Sequence, residues 1–490
     1  MWMRSGVLAA ALAALTACAG PTADKPSPIA ASRSATEQRA GDQAHPDILR
    51  QFGGPYAGRA ADYVRDLGRR IAANTEQPQG PWTFTLLDSP VVNAFALPGG
   101  YVYVTRGLVA LAGDEAELAG VIGHEIGHVT AAHSVQRNER ATMAQIGVLA
   151  AVIGAAALGV EGSALDALGQ GAGAVAQGAV ASYSRAQEIE ADRLGVAYLA
   201  RSGYDPGAQA DFLRAMQAQD QLSARLAGGA YDPNRVDFFA THPATAERVA
   251  AAQAAAGPNG GNGPRNRDAF LNAIDGMTYG DSAEQGFVRG GRFIHPALRF
   301  AFDAPPGYEI VNSAAQVTMR GPSGASVTFD GARDPGGSMV DYVSRAWAGG
   351  LARQTRTGQL QDLRSFRVNG LEAASAVLPV QTNRGVAAAH LTAIRAGGGR
   401  VYRFLGLGPG GEIGRMAQAG LSFRSLSAAE AAAAKPWRIR IVTVRPGDTV
   451  TSLAARTPFD KAREERFRVL NGLAPGQQPR PGDRVKLVVE

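Results

Sequence analysis

The sequence predicts a multidomain α+β chain: a mainly helical domain with a small edge-strand sheet, then an antiparallel α+β domain, then a small βααβ module. Three observations predict it. The chain has 490 residues, more than one ordinary hydrophobic core holds. Residues 257–267, reading G-P-N-G-G-N-G-P-R-N-R, and residues 427–436 read as linkers and cut it into three. The apolar period also changes at the first cut, from helical spacing before it to strand alternation after it.

The first residues are not fold. Arg4 supplies a positive start, Val7 to Leu15 an apolar run, and Leu15-Thr16-Ala17-Cys18 follows. That tetrapeptide is similar to a bacterial lipobox, which makes residues 1–18 a lipoprotein signal and Cys18 the lipidated residue. Cys18 is the only cysteine, so no intramolecular disulfide forms. Ala19 in place of an Asp points the lipid to the periplasmic face of the outer membrane, and residues 19–46 read as a flexible tether. No long uninterrupted apolar run argues for a polytopic membrane protein. The net charge of +6 sits wholly in the tail: from Lys435 to Glu490 there are twelve Lys/Arg against six Asp/Glu. A basic tail on a neutral body suits an anionic surface and excludes a nucleic-acid-binding protein throughout.

Residues 47–256 form the first domain. A helical pattern runs from Tyr56 to Ala73, Trp82 to Leu87 reads as a strand, and Val91 to Leu97 with Tyr101 to Val104 flank Pro98-Gly99-Gly100 as a hairpin. The next helix opens at Asp114 as N-cap, with Glu117 three residues on completing a capping box. It carries His124-Glu125-Ile126-Gly127-His128. Residues four apart share a helix face, so His124 and His128 can offer two imidazole nitrogens to one zinc ion, and Glu125 can reach a water beside it. Water held by zinc has a pKa of about 7, within reach of a carboxylate base at neutral pH. A third histidine at 134 would extend the pattern, but Ser134 stands there. His133, nine residues from His124, falls on the opposite helix face and is read as structural. A second helix, opening at Ser184-Arg185 and ending near Gly203, places Glu188 and Asp192 on one face. Either can bind the metal while the other orients a ligand histidine.

H-E-I-G-H followed by S-R-x-x-E-x-E-A-D-R-L-G resembles the zinc metallopeptidases of the HtpX and CAAX-prenyl-protease type, and among them the periplasmic BepA-like branch. The resemblance runs from about Tyr56 to Ala256 and takes in Asn93-Ala94-Phe95-Ala96-Leu97-Pro98-Gly99-Gly100 and Thr241-His242-Pro243. It implies a zincin-type fold, one zinc per chain, ligands His124, His128 and Glu188, Glu125 as catalytic carboxylate and Asp192 behind a ligand. Glu190 falls to a solvated helix face. The strand region beginning Asn93, Ala94, Phe95 would bind substrate by edge pairing, or be an ordinary core hairpin. His242 can be a fourth ligand, an oxyanion stabiliser or a packing residue. The Ala- and Gly-rich residues 143–181 read either as a lid or membrane-touching flap or as a buried helical hairpin.

Residues 268–426 alternate as antiparallel strands with a helix from Ser338, Asp341 being its N3, and carry no recognisable chemistry. Residues 437–490, with Pro446-Gly447-Asp448-Thr449 and Pro481-Gly482-Asp483, resemble a LysM module, which implies binding to peptidoglycan. Its deletion is expected to leave catalysis intact. Two functions result. One is a zinc metalloendopeptidase, lipid-anchored in the periplasm and acting on unfolded or misassembled envelope proteins. The other is a non-proteolytic peptidoglycan-binding scaffold or chaperone with a structural zinc site.

Overall fold

The computed structural model describes residues 35–134, 136, 183–226, 242, 245–313, 316–354, 357–382 and 385–490. Cys18, the first part of the expected tether and residues 143–181 lie outside them.

The elements of the first domain are α1 (Ala35–Gln51), α2 (Arg59–Ala72), β1 (Thr83–Leu87), β2 (Ala94–Leu97), β3 (Tyr101–Thr105), α3 (Arg106–Leu111), α4 (Glu115–Thr130), α5 (Arg185–Arg201), α6 (Ala208–Leu226) and α7 (Ala246–Ala256). Helix α4, which carries the H-E-x-x-H residues, runs through the middle with nearly every residue buried. Its Asp114 cap accepts from the Glu117 amide, but Glu117 turns its own carboxylate to the Gly113 N–H, one residue further back than a capping box requires. Val64, Leu67 and Ile71 of α2 pack on it with Leu118, Val121 and Ile122. The sheet has the order β1-β3-β2, with β1 parallel and β2 antiparallel to β3, so β2 is an edge strand.

Residues 35–46 differ from the expected tether: they begin α1. The Ala, Glu, Gln and Arg there favour helix, and the helix has a surface to lie on. His45 stacks on Tyr101 at 4.9 Å and sets Nδ1 2.7 Å from the Tyr103 hydroxyl. At Gly41 a Cβ would fall 2.2 Å from the Pro98 carbonyl oxygen, so only glycine lets the helix approach the hairpin turn.

The expected linker at 257–267 is also part of the fold. Arg265 reaches Asp114 at 2.8 Å, Asp205 at 3.0 Å and Asp211 at 2.8 Å. One guanidinium with its fixed fork of donors thus ties α4, α6 and the loop between α5 and α6. Beyond it α8 (Arg267–Ile274) buries Phe270, Leu271 and Ile274 in the same core, and β4 (Thr278–Tyr279) follows.

The middle domain contains β5 (Phe287–Arg289), β6 (Arg292–His295), β7 (Phe300–Asp303), β8 (Glu309–Asn312), β9 (Val317–Arg320), β10 (Ser326–Arg333), α9 (Met339–Asp341), a π-turn (Tyr342–Ala348) and α10 (Gly349–Gln354). It continues with β11 (Gln361–Val368), β12 (Leu371–Thr382), β13 (Gly385–Ala396), β14 (Arg400–Gly408), α11 (Ile413–Leu421) and β15 (Arg424–Ser425). A seven-stranded antiparallel sheet, β11-β12-β13-β14-β10-β9-β8, packs on a four-stranded one, β15-β7-β6-β5, through Phe293, Phe300, Phe302, Phe329, Tyr402 and Phe404. Ser338 caps the expected helix by accepting from the Asp341 amide at 3.0 Å. The expected second linker contains a short helix, α12 (Ala428–Ala433), because Ser427 and Glu430 complete a capping box before a run of alanines.

The C-terminal module consists of β16 (Trp437–Thr443), α13 (Val450–Ala454), α14 (Arg463–Leu470) and β17 (Arg484–Val489). It is not a separable bead. Strand β16 pairs with β17 on one side and β4 on the other, giving a sheet β17-β16-β4 into which the middle domain is inserted. Ile439, Phe459, Leu470 and Val488 belong to the same hydrophobic core as α2 and α4. Between them Lys486, wholly buried, donates to the carbonyls of Ala110 at 2.7 Å, Leu111 at 3.3 Å and Ala112 at 2.8 Å. These are the acceptors a helix end leaves unpaired. Burial pushes the Lys486 amine down to about 7. No described helix is long and apolar enough to cross a membrane.

Replacing Lys486 by Met keeps the volume and removes all three hydrogen bonds. The urea midpoint of the full chain is expected to fall by the equivalent of about 1–3 kcal/mol. An unchanged midpoint would show that the contact contributes nothing to docking.

Candidate metal centre

Two helices bring the ligands together, and the reason is glycine. At Gly123 of α4 a Cβ would stand 3.3 Å from the Gly195 Cα on α5, and at Gly195 one would stand 3.1 Å from the His124 backbone nitrogen. At Gly127 a Cβ would meet the Ala191 carbonyl at 3.2 Å. Small residues spaced along both helices let the backbones almost touch, and Glu188 of α5 then faces His124 and His128 across the seam.

His124 Nε2 lies 3.1 Å from His128 Nε2 and 3.4 Å from His242 Nδ1. Glu188 Oε1 lies 3.4 Å from His128 Nε2 and 2.8 Å from His242 Nδ1, and its Oε2 lies 3.6 Å from His124 Nε2. All four side chains are buried, and one atom from each falls within 4.8 Å of the others. Metal–ligand bonds of about 2.1 Å in tetrahedral array set donor atoms about 3.4 Å apart, so the residues fit a metal ion. Burial holds the His128 imidazole well below its usual range, which keeps it neutral as a ligand must be.

Behind the ligands, Asp192 Oδ1 sits 2.9 Å from His124 Nδ1. Burial pushes the Asp192 carboxyl up, but Arg248 and His124 outweigh it and hold it at about 2. Arg248 grips Asp192 with Nε at 2.7 Å and Nη2 at 2.8 Å, while its Nη1 lies 2.8 Å from Glu188 Oε2. Gln209 of α6 donates to the same Asp192 at 2.9 Å. Glu125 is buried beside the set, and its Oε1 has no hydrogen-bond partner among the described residues. Burial raises the Glu125 carboxyl above its usual range.

With this geometry in place, the likeness to known proteins can be read. Residues 59–256 match the model of peptidase family M48, and residues 442–488 match that of the LysM domain. Residues 59–256 are thus similar to an M48 peptidase domain. The chain is 33% identical over 195 residues to the beta-barrel assembly-enhancing protease of Yersinia pestis, covering 39% of this chain and 38% of that one. The Escherichia coli K12 protein of the same name is 32% identical over 195 residues, with the same coverage. The mitochondrial metalloendopeptidase OMA1 of Schizosaccharomyces pombe is 28% identical over 219 residues, covering 44% of this chain and 59% of it. The chain thus spans less than two thirds of each of these relatives. M48 peptidases depend on a metal, and the four-donor set lies within the matched span.

Two sequence readings need correction, at Glu190 and at His133. In the strand region read as substrate-binding, the Phe95 ring stacks on Tyr103 at 4.9 Å and meets Phe52 at 5.1 Å, in the cluster under α1. Asn93 and Ala94 are buried, leaving the β2 backbone as what this strand has to offer a partner. Glu190 does not merely face solvent, and His133 is not opposite the metal. Helix α4 ends at Thr130, Ala132 adopts a left-handed φ of 55°, and His133 turns back to place Nδ1 2.9 Å from His128 Nδ1. Its Nε2 lies 3.3 Å from Glu190 Oε2. Extrapolating a regular helix past its end put His133 on the wrong face.

Two residues of the site went unassigned in the sequence reading. Arg248 is one, although a buried acid cluster calls for a cation and Thr245, as N-cap of α7, turns Arg248 inward. Tyr183 is the other, stacked on the His128 ring at 3.9 Å, with no spacing signal to give it away.

A Gly195→Val substitution would force the helices apart at the seam. It is expected to cost about 1–3 kcal/mol of stability and to abolish metal uptake while circular dichroism still reports a helical fold. Full metal content in that variant would break the link between helix approach and ligand geometry.

Proposed function

We propose that this protein is a zinc endopeptidase of the bacterial envelope. The observation that carries the reading is Glu125: a buried carboxylate whose Oε1 has no hydrogen-bond partner among the described residues is costly unless a reaction uses it. His124, His128 and Glu188 would hold the zinc. When bound, zinc supplies a Lewis acid for the scissile carbonyl and lowers the pKa of water held there to about 7. Glu125 accepts the proton of the attacking water and passes it to the leaving amine; its raised affinity for a proton suits both transfers. Asp192 fixes the tautomer of His124, and Arg248 fixes Asp192. Strand β2, the edge of the three-stranded sheet among the described residues, would take the substrate backbone as a further strand.

One observation favours the scaffold reading. His242 completes a set of four protein donors, and a site closed by four is the structural kind. Under the peptidase reading three residues, His124, His128 and Glu188, would hold the zinc, and His242 would not be a permanent ligand. The two readings separate cleanly. With the mature chain and casein as substrate, Glu125→Gln is expected to keep stoichiometric zinc and to lose at least ~100-fold in hydrolysis. Glu188→Ala is expected to lose zinc, and His242→Ala to keep both zinc and hydrolysis. Equal casein turnover by wild type and Glu125→Gln, or no turnover sensitive to chelator, would leave the scaffold.

The relatives named for beta-barrel assembly, the LysM match and the lipobox-like Leu15-Thr16-Ala17-Cys18 support an envelope setting, with unfolded envelope proteins as substrates. The basic C-terminal module would grip peptidoglycan while a Cys18 lipid holds the membrane, and tethering makes the second contact intramolecular. The mature chain is expected to sediment with purified peptidoglycan at moderate salt, where charge attraction is screened. Cys18→Ser is expected to leave the membrane fraction. Retention in the supernatant at every salt concentration would remove wall binding, and unchanged membrane fractionation of Cys18→Ser would remove the anchor.

A further inference from the structure

We propose that His133 and Glu190 are a positioning pair that fixes the ring of His128, so that each histidine ligand is backed by its own carboxylate from α5. This rests on the metal reading of His124, His128 and Glu188. His128 turns Nε2 to the donor set, 3.1 Å from His124 Nε2, so Nδ1 faces outward. At that outward nitrogen lies His133 Nδ1, 2.9 Å away, on a side chain with no solvent exposure.

Two ring nitrogens at hydrogen-bond distance need one proton between them, and the chemistry says which ring has it. A metal ligand offers a bare Nε2, so the neutral His128 imidazole keeps its proton on Nδ1 and donates. His133 Nδ1 then accepts, which puts the His133 proton on Nε2, the nitrogen 3.3 Å from Glu190 Oε2. Every tautomer in the row is set by its neighbour, and the row ends on a carboxylate, the partner a ligand histidine most often has.

The second ligand repeats the scheme in shorter form. Asp192 Oδ1 takes the outward Nδ1 of His124 directly, at 2.9 Å. Glu190 and Asp192 stand two apart on α5, and Glu190 points to the other side of that helix. It therefore needs an intermediary, and the left-handed turn at Ala132 (φ 55°) delivers His133 to that place. A non-glycine residue in that conformation is a cost that the surrounding contacts must offset.

The test uses the full-length mature chain, with zinc affinity measured by chelator competition and the cobalt-substituted protein followed by its visible d–d spectrum. His133→Phe keeps the ring volume and removes the acceptor; His133→Asn keeps an acceptor near the Nδ1 position. The Phe variant is expected to bind zinc about 10–100-fold more weakly with a shifted cobalt spectrum, and the Asn variant to restore most of both. Glu190→Gln, at a half-exposed position that tolerates change, is expected to weaken zinc several-fold. Equal losses in Phe and Asn would make His133 a packing residue and overturn the proposal. So would wild-type affinity and spectrum in Glu190→Gln, which covers the case of a Phe variant that does not fold. If wild type itself takes up no zinc, the metal reading falls and the pair falls with it; wild-type uptake with an undiminished Phe variant overturns the pair alone.

Discussion

The close crossing of α4 and α5 is the constraint on which the rest depends. A metal site built from two histidines on one helix and a carboxylate on another needs helix axes nearer than ordinary side chains allow. Gly123, Gly127 and Gly195 provide that distance by omitting side chains. Beside the apolar core that both helices share, polar contacts hold the seam shut. Arg248 from α7 and Gln209 from α6 both close on Asp192, turning one buried carboxylate into the junction of four helices. Breaking a buried ion pair of this kind by removing one partner costs about 3–5 kcal/mol, because the other charge is left without compensation.

Helix α5 serves the site with three acids in five residues. Glu188 offers its oxygens to the donor set, Asp192 stands behind His124, and Glu190 reaches around the helix to His133. The first two share a face because they are four apart. Glu190 does not share it, and the conformation of the chain after α4 brings it into use.

Much of this was legible in the sequence, for reasons that can be named. Helical spacing pairs His124 with His128 and Glu188 with Asp192, and helical spacing is local; which of the two acids joins the histidines came from the resemblance. The hairpin, the two buried helices and the antiparallel character of the middle domain follow from periodicity and turn residues in the same way. What was hidden depends on contacts distant in sequence. Arg265 looks like part of a linker until four acids from other segments surround it. His133 looks misplaced until the φ of Ala132 is known. Lys486 looks like a surface charge in a basic tail, and it is buried because carbonyls from residues 110–112 replace its water. Composition also misled at residues 35–46 and 427–436, where good helix formers with caps or a receptive surface were taken for flexible chain.

The sheet shared by β4, β16 and β17 has a consequence for how the chain reaches its native state. Tyr279 pairs with Trp437, and everything between them is looped out. The core around α4 therefore lacks Ile439, Phe459, Leu470 and Val488 until the last stretch of the polypeptide has emerged. Closing so long a loop adds little entropy over a shorter one, but such distant pairing is slow. The middle domain, whose strands all fall within residues 287–425, can fold first and bring the two ends of its insertion together. The H-E-x-x-H helix would then gain its full set of core neighbours only after residues 437–488 have been made.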